Sequence, residues 1–452
     1  MRSSLEKALE YLDSSQEQFY RDLDTFLRFP SIAVEPARAG DISRTVEWLS
    51  RRVQAAGFEK VEALETGGFP VILAELGSKS EDMPCVLIYG HYDVQSPAPE
   101  EAWTSPPFDP TRSGEYLVAR GAADMKGQLM ACLAAIEAWN QVDKCPVNIK
   151  LLIEGEEELG SPHLGKLVFD QRERLQADVG LNLDAGMAAR DVPTITTALR
   201  GAMLFELKIQ GSERDLHSGI FGGLVENPIQ ILCRILSGLQ DEAGIITLPG
   251  LYDRVRFIKP EERAGMEYPA EALLRQVGAA SLRGDQEYSA FERTTIRPSF
   301  DVLHIYGGAR KTAIPSEAGA SISMRIVPDQ DPDEVYEKLK EYLAAVVPEG
   351  VKWNLSWKVG VPPVLSDPEF IGNQAMAQAM KAVWGVDPAF LPGGGTIPVV
   401  PMLYEILGIQ SLLTGFSLPD DNMHGPDERI HLPTLEKGKR VLVHFFNQLA
   451  CE

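Results

Sequence analysis

The sequence has few cysteines, and their placement argues against two kinds of small fold. Its 452 residues include five cysteines, which are widely scattered and never form a Cys-x-x-Cys pair. Such spacing argues against a disulfide framework and against a structural zinc knuckle. Unpaired cysteines are typical of proteins from reducing compartments, so we expect a cytoplasmic protein.

Basic residues and long apolar runs are also scarce. The chain carries 43 Lys and Arg against 65 Asp and Glu, a formal net charge of −22. A nucleic-acid-binding surface requires clustered Lys and Arg, so we expect no nucleic-acid partner. No apolar run reaches the length of a membrane span, and the first ten residues contain no apolar signal core. The sequence therefore predicts a soluble protein with no membrane association.

The length and the changing hydrophobic pattern predict two domains. Up to about Thr197, strand-like runs alternate with helical repeats, which indicates an α/β domain with a mostly parallel sheet flanked by helices. After Thr197 the apolar residues alternate with others, the pattern of strands with one buried face. The helix-rich pattern returns at Asp367. We therefore predict an α/β domain of residues 1–197 and 365–452, interrupted by an inserted α+β domain of residues 198–364.

Individual elements follow from the same patterns. Strands are predicted at residues 71–76, 86–89, 147–153 and 179–183, and a helix at residues 129–139. Asp41 is predicted to cap the start of another helix. Two dipeptides in which a capping residue precedes proline, Asn227-Pro228 and Asp331-Pro332, predict helix starts in the inserted domain.

Polar groups follow the predicted strands at the points where those strands end. The run 86–89 stops at Gly90, and His91 and Asp93 come next. Because parallel sheets place their chemistry beyond the carboxyl ends of strands, His91 is expected at a functional edge. Asp93 can accept a hydrogen bond from the imidazole nitrogen that binds no metal. On these residues alone, a His and an Asp that merely close a turn remain the alternative.

Five groups of this kind occur at strand ends or loop tips of the first domain: His91, Asp124, the adjacent Glu157 and Glu158, Asp184 and His424. With one glutamate counted, two imidazoles and three carboxylates form a mixed nitrogen and oxygen set. Such a set suits Zn²⁺, Mn²⁺ or Co²⁺ better than Ca²⁺. With one bridging carboxylate it suffices for two ions, and the second glutamate remains as a proton acceptor for metal-bound water.

Five ordered motifs carry a resemblance to a known family, at residues 90–94, 120–127, 154–161, 215–219 and 423–425. Over nearly its whole length the sequence resembles the two-metal metallopeptidases that include carnosine dipeptidase, glutamate carboxypeptidase, aminoacylase and succinyl-diaminopimelate desuccinylase. The length of the middle domain and its Asp-Leu-His-Ser-Gly motif are similar to those of the dipeptidases. The resemblance implies a catalytic domain with an inserted lid and dimerisation domain, and therefore a homodimer.

The resemblance also implies two divalent metal ions per chain, expected to be Zn²⁺, with Mn²⁺ or Co²⁺ as alternatives. Asp124 would bridge the two ions. His91 and Asp184 would complete one site, and Glu158 and His424 would complete the other.

Further residues receive roles in the same way. Glu157 would be the general base, and Asp93 would orient His91. Relatives often have a second acid after the bridging aspartate, where this chain has Met125, and their peptide bond after that aspartate is cis. His217 would reach into the partner subunit's active site and stabilise the oxyanion. The residues implied for substrate binding are Arg325, which would hold a substrate carboxylate, and Asn227, Thr312, Gly395 and Thr396.

The resulting prediction is a metal-dependent exopeptidase that cleaves the amide bond of dipeptides or short peptides. A metal-bridging hydroxide would attack the bond, with Glu157 as general base. The alternative is an N-acyl-amino-acid deacylase, and a further one is a binding protein that has kept the fold and lost the chemistry. A complete ligand set with a spare base favours an enzyme, because a binding protein needs no base.

Overall fold

A computed structural model of the chain describes residues 3–77, 83–259, 263, 274, 278–309 and 311–451. Its α-helices are α1 (Ser4–Ser14), α2 (Gln16–Leu27), α3 (Ala39–Ala55), α4 (Lys126–Val142), α5 (Leu164–Asp170), α6 (Ser218–Phe221), α7 (Pro228–Gly238), α8 (Ala290–Thr295), α9 (Pro332–Val346), α10 (Ile371–Trp384), α11 (Val399–Leu407) and α12 (Leu432–Leu449). No helix in these ranges is both long and apolar enough to cross a membrane.

The strands of the same residues are β1 (Lys60–Leu64), β2 (Val71–Leu76), β3 (Cys85–His91), β4 (Thr111–Ser113), β5 (Tyr116–Val118), β6 (Asn148–Glu154), β7 (Val179–Asn182), β8 (Thr194–Leu199), β9 (Gly201–Gln210), β10 (Leu216–His217), β11 (Ser299–Gly307), β12 (Ala313–Ile314), β13 (Glu317–Ile326), β14 (Lys352–Val361), β15 (Val364–Leu365), β16 (Ala389–Pro392), β17 (Ser411–Thr414) and β18 (Arg429–His431). Short 3₁₀ turns include Glu157–Leu159, which begins three residues after the end of β6.

The chain forms two compact units. The first comprises Met1–Thr197, Ser366–Leu391 and Ile397–Glu452, and the second comprises Ala198–Leu365 and Pro392–Thr396. Residues 392–396 are predicted from the sequence to belong to the first domain, but in the structure they belong to the second unit. The reason is a set of hydrogen bonds: Arg200 donates its backbone N–H to Gly395 O at 3.1 Å and its side-chain Nε–H to Gly394 O at 3.0 Å.

The first unit is built on a mixed sheet with strand order β1-β2-β6-β3-β7-β17-β8, and β16 also pairs with β8. The central pairs β6–β3, β3–β7 and β7–β17 are parallel. The outer pairs are antiparallel. The α/β class predicted from the sequence is confirmed, with the parallel pairs confined to the centre of the sheet.

Strand β3 is the centre of this unit because its residues are apolar on both faces. All of its residues from Val86 to His91 are buried, as expected for a parallel strand covered by helices on both sides. Helix α4 is buried on nearly all of its circumference and packs against α1, α2 and α12. The parallel neighbours β3, β6 and β7 end at the same edge of the sheet, so the residues that follow them are brought together there.

The second unit contains an antiparallel sheet with strand order β11-β13-β9-β14. The apolar residues predicted to alternate on β9, from Met203 to Ile209, are buried in its core with the apolar residues of α7 and α9. Both predicted helix starts are confirmed. Asn227 Oδ1 accepts a hydrogen bond from Ile229 N at 3.0 Å, and Asp331 Oδ1 accepts one from Glu334 N at 3.1 Å.

Asp41 is not the helix cap that the sequence predicts. Helix α3 begins at Ala39, two residues earlier, because a 3₁₀ turn at Pro36–Arg38 leads directly into it. Asp41 lies in the first helical turn instead, within 3.4 Å of Arg38 NH1. An acidic residue at this position stabilises a helix through the helix dipole rather than by capping.

The packing of α12 generates a stability prediction. A Cβ atom at Gly438 would lie 2.5–2.8 Å from ring atoms of Phe416, which is fully buried. Alanine is favoured over glycine in a helix by ~1 kcal/mol, whereas overpacking a core costs ~1–3 kcal/mol. We expect Gly438→Ala to lower the free energy of unfolding by up to about 2 kcal/mol, as measured by urea denaturation.

Gly165 on α5 provides the matched control. A Cβ atom there would lie 3.7 Å from the Met402 sulfur, an ordinary contact distance. Gly165→Ala is therefore expected to leave stability unchanged or to raise it by up to ~1 kcal/mol. Equal effects of the two substitutions would contradict the packing argument.

Candidate metal centre

His91 ends β3 with its side chain fully buried. Its Nε2 atom lies 3.2 Å from Asp124 Oδ1 and 3.9 Å from Asp184 Oδ2, and it makes no hydrogen bond to the described residues. Its Nδ1 atom lies 3.1 Å from the backbone oxygen of Asp93 and 3.4 Å from that residue's Oδ1. The ring is therefore held from its Nδ1 side, and its Nε2 atom faces two carboxylates.

Asp93 contacts the neighbouring glutamates as well as His91. Its Oδ1 accepts a hydrogen bond from Glu157 N at 3.3 Å, and its Oδ2 accepts one from Glu158 N at 3.1 Å. These N–H groups open the 3₁₀ turn that follows β6, and a carboxylate at such a start satisfies donors that the turn leaves unpaired. From the sequence, the Asp93 carboxylate is expected to accept a hydrogen bond from the His91 imidazole. In the structure the closer acceptor is the backbone oxygen, and the carboxylate binds the glutamate turn.

Asp124 and Asp184 lie in loops next to His91. Asp124 precedes α4, its peptide bond to Met125 is cis, and its Oδ2 lies 2.9 Å from His424 Nε2. Asp184 follows β7, and its backbone N–H donates to Asn182 Oδ1 at 2.7 Å. Both carboxylates are largely buried.

Glu158 and His424 lie on the other side of Asp124. His424 Nε2 is 3.4 Å from Glu158 Oε2, which also accepts a hydrogen bond from Gln95 Nε2 at 2.9 Å. The backbone of His424 is left-handed, with φ of +62°, a conformation that is uncommon for a residue with a side chain. Non-glycine residues held in this region are often found at functional sites.

Two groups of three side chains could each hold a metal ion. One comprises His91, Asp124 and Asp184, the other comprises Asp124, Glu158 and His424, and within each group the donor atoms lie within 4.8 Å of one another. Asp124 belongs to both groups. Glu157 belongs to neither, although it is adjacent to Glu158 in the turn.

Burial and neighbouring charges shift the pKa values of the acids in this cluster. Burial, together with neighbouring acids, raises the pKa of Glu157 to about 8 and that of Glu158 to about 7. Burial and the charge of Asp124 raise the pKa of Asp184 well above its ordinary value. Burial alone would also raise the pKa of Asp124, but the hydrogen bond with His424 and the adjacent imidazole of His91 hold that pKa below the usual range.

These observations fit a divalent cation. Carboxylates gathered in a buried site repel one another, and a cation between them removes that repulsion. The buried Nε2 atom of His91 supplies a nitrogen donor that no described residue uses. Imidazole and carboxylate donors in these proportions are the ligands that Zn²⁺ and related transition metals prefer.

In the second unit, His217 and Thr312 lie at the short β10–β12 ribbon. His217 pairs with Ala313, next to Thr312, and its Nδ1 accepts a hydrogen bond from Gly219 N at 3.1 Å. The side chain of His217 is exposed. Asn227, the remaining residue of this part of the chain that the sequence analysis selects, uses its side-chain oxygen to cap α7.

The structure brings Arg325, Gly395 and Thr396 together in the second unit. Arg325 NH1 donates to Thr396 Oγ1 at 2.6 Å, and Thr396 Oγ1 donates to the backbone oxygen of Arg200 at 2.5 Å. Burial lowers the pKa of Arg325. Burial and the nearby charge of Arg325 lower the pKa of Arg200 to about 10.

Sequence reasoning missed Arg200, which adds a second positive charge beside Arg325. It is the single residue between β8 and β9, and nothing in the adjacent sequence marks it. Its link to the loop 392–396 is visible only in the tertiary structure.

Comparison with known proteins identifies the family. Residues 87–448 match the model of peptidase family M20/M25/M40. The chain belongs to this family of peptidases. The match contains His91, Asp124, Glu158, Asp184 and His424, and the resemblance read from the sequence motifs is confirmed.

Two curated relatives cover nearly the whole chain. The β-Ala-His dipeptidase of Rattus norvegicus is 27% identical over 473 residues, which are 99% of this chain and 96% of that protein. The Cys-Gly metallodipeptidase of Schizosaccharomyces pombe is 28% identical over 484 residues, covering 100% and 99% of the two chains.

Solved structures agree in fold. Human carnosine dipeptidase 1 superposes with a TM-score of 0.84 at 28% identity, covering all of both chains. An M20 family metallo-carboxypeptidase from Sulfolobus solfataricus gives a TM-score of 0.85 at 30% identity, covering 96% of this chain and 99% of that one. Enzymes of this family use divalent metals, as the two groups of donor side chains require, and the dipeptidase branch named from the sequence is confirmed.

Proposed function

We propose that this protein is a metal-dependent dipeptidase that hydrolyses the amide bond of dipeptides or short peptides. The observation that carries the proposal is the pair of donor groups sharing Asp124, with Glu157 beside them and outside both. One residue can thus bridge two cations while a separate acid handles protons. The hydrolysis of β-Ala-His and Cys-Gly by the relatives supports small dipeptides as the substrate class.

The runner-up activity is the removal of an acyl group from an N-acyl amino acid, which breaks the same kind of bond. The similar dipeptidases favour the peptide substrate. A binding protein without catalysis is a third reading, and the presence of both donor groups together with Glu157 argues against it.

The proposed cofactor is a pair of Zn²⁺ ions, with Mn²⁺ or Co²⁺ as the alternatives. His91, Asp124 and Asp184 would hold one ion, and Asp124, Glu158 and His424 would hold the other. When bound, such ions lower the pKa of a coordinated water and polarise the carbonyl that is attacked.

Glu157 is the proposed general base. Its carboxylate accepts a proton from the attacking water and delivers it to the nitrogen of the leaving amine. Its carboxyl group is largely buried next to the ligand Glu158, and burial raises its pKa, which favours a group that both accepts and returns a proton. Asp93 holds the turn that carries Glu157 through its two backbone hydrogen bonds.

The separation of the two glutamates generates a prediction. Glu157→Gln should lower kcat for a dipeptide by ~10²–10⁴-fold, because the general base is lost, while the metal content remains two per chain. Glu158→Gln should instead lose metal, because the amide is a weaker ligand. Metal content is measured by atomic emission after dialysis.

Chelation supplies the control for both variants. Removing metal from the unmodified protein should abolish activity, and adding Zn²⁺ should restore it. Full turnover by metal-free protein would contradict the mechanism, and loss of metal from Glu157→Gln would exchange the roles of the two glutamates.

Arg325 is the proposed partner of the substrate's free carboxylate. Its guanidinium is half-buried and forms no ion pair with the described residues. Arg200 lies nearby, and the charge of Arg325 lowers the pKa of Arg200. The charge of Asp301 acts on both arginines, and the two positive charges exceed this one negative charge. Two neighbouring arginines of this kind can bind a carboxylate. Thr396, which accepts a hydrogen bond from Arg325, and Gly395 belong to the same site, and Asn227 and Thr312 are further candidates for substrate contact.

Replacing Arg325 should therefore lower kcat/KM for substrates with a free carboxylate and leave kcat/KM unchanged for substrates without one. Arg325→Met should lower kcat/KM for a dipeptide by about 10–100-fold, the value of a charge-assisted hydrogen bond, and should leave the C-terminal amide of that dipeptide unaffected. Arg254→Met is the control, because Arg254 is paired with Glu334 at 2.7 Å. Equal loss for the dipeptide and its amide would remove the proposed role.

The protein is proposed to act as a homodimer in the cytoplasm. Strand β11 is an edge of its sheet, and its Leu303 and Ile305 are 62% and 53% exposed. An apolar edge strand is a surface for pairing with another chain, and a second copy is its simplest partner. All five cysteines are free, which supports a reducing compartment.

The exposed His217 is proposed to complete the active site of the partner subunit. His217→Ala should lose rate and keep its metal. Mixing it with Glu157→Gln should restore roughly a quarter of the unmodified activity, because about half of the dimers are mixed and each has one complete site. No recovery after verified subunit exchange would contradict the shared site.

A further inference from the structure

A buried ion pair joins two loops of the first unit that are 308 residues apart in sequence. Arg120 NH1 donates to Glu428 Oε2 at 2.6 Å, and the side chains are 2% and 0% exposed. A buried ion pair requires further hydrogen bonds to offset the loss of hydration. The partners that supply those bonds show what the pair does.

The Glu428 carboxylate collects the backbone N–H groups of the loop that leads to Asp124. Its Oε2 accepts from Gly121 N at 3.0 Å, in addition to Arg120. Its Oε1 accepts from Ala123 N at 2.9 Å and from Asp124 N at 3.0 Å. Both carboxylate oxygens are thus occupied by donors, and one of these donors is the backbone of Asp124 itself.

The Arg120 guanidinium reaches the loop that carries His424. Its NH2 atom donates to the backbone oxygens of His424 and Gly425, both at 3.2 Å, and to that of Ser96 at 3.5 Å. Its carbon atom lies 5.2 Å from the Trp103 ring centre, so the plane of the group is supported by packing. These bonds hold the backbone of the loop at His424 and Gly425, where His424 has its positive φ.

We propose that Arg120 and Glu428 are positioning residues that set the separation of Asp124 and His424 for a divalent cation. The ion pair contacts the backbone of both residues, whose side chains already lie 2.9 Å apart. The inference rests on the proposed metal-dependent function. Neither residue contacts substrate or metal in this proposal, and both act through the two ligands.

The ion pair acts mainly on one of the two donor groups. Two of the three members of the group formed by Asp124, Glu158 and His424 are held by the ion pair. The other group shares Asp124, but its His91 and Asp184 are placed by the ends of β3 and β7. Loss of the ion pair should therefore weaken the binding of one Zn²⁺ ion much more than that of the other.

The test is a Zn²⁺ titration of Glu428→Gln against a chromophoric chelator. The amide offers one acceptor oxygen in place of two, so the donors on the other side lose their partner. The weaker of the two Zn²⁺ ions should bind about 10–100-fold less tightly than in the unmodified protein, with a smaller change for the other ion. High Zn²⁺ should then restore kcat.

The double variant Arg120→Met/Glu428→Gln covers the case in which Glu428→Gln does not fold, because it buries no unpaired charge. It should show the same selective loss. Glu137→Gln is the matched control: Glu137 pairs with the buried Arg52 at 2.5 Å, in the same unit. Its melting temperature should fall while both Zn²⁺ affinities stay unchanged.

The outcomes separate this inference from the function on which it rests. An unmodified protein that binds fewer than two Zn²⁺ ions overturns both. Two ions in the unmodified protein, with unchanged affinities in the folded ion-pair variants, overturn the inference alone. Equal weakening of both ions, or the same weakening in Glu137→Gln, also overturns it, because a general loss of stability would then explain the result.

Discussion

The mutual repulsion of buried carboxylates is the constraint on which the rest of the first unit depends. Asp124, Glu157, Glu158 and Asp184 are gathered around His91, and burial raises the pKa values of three of these acids. Bringing such groups together costs free energy unless hydrogen bonds or cations offset it. The structure places two imidazoles beside Asp124, of which His424 is hydrogen-bonded to it, and the chemistry of the site calls for divalent cations.

The central strands of the sheet place these acids at defined positions. The three neighbouring strands β6, β3 and β7 are parallel and buried, so their carboxyl ends deliver polar residues to one edge at a defined spacing. The loops beyond the strands are then secured by buried charge. Asp93 binds the turn that carries Glu157 and Glu158, and Glu428 binds the loop that carries Asp124. The carboxylates of these positioning groups accept hydrogen bonds from backbone N–H donors of the loops that they hold.

The second unit shows a different use of buried charge. Arg200 and Arg325 lie near each other in surroundings that lower the pKa of both, and the backbone and hydroxyl groups of residues 392–396 hold them. In the proposed function this pair binds an anion, and the acids of the first unit bind cations. Preorganisation of this kind carries a cost in stability that becomes useful when the ligand arrives.

The sequence by itself determined the strand runs, the two domains and the candidate acids and imidazoles. These follow from local pattern: apolar runs end in polar residues, and the five motifs identify the family. The ligand groups predicted from those motifs do lie together, because strand ends meet at one edge of a parallel sheet. The sheet order, by contrast, pairs strands that are far apart in the chain, and periodicity contains no information on such pairs.

Only the tertiary structure decided which groups support the ligands. It showed that the Asp93 carboxylate binds the glutamate turn, that residues 392–396 pack with the second unit, and that Arg120 meets Glu428 across 308 residues. No local pattern could indicate these contacts, because a hydrogen bond or an ion pair depends on where folding places two atoms. Sequence patterns indicate which face of a segment is exposed to water and which is buried in the core. The partner of a buried charge depends instead on how the whole unit packs.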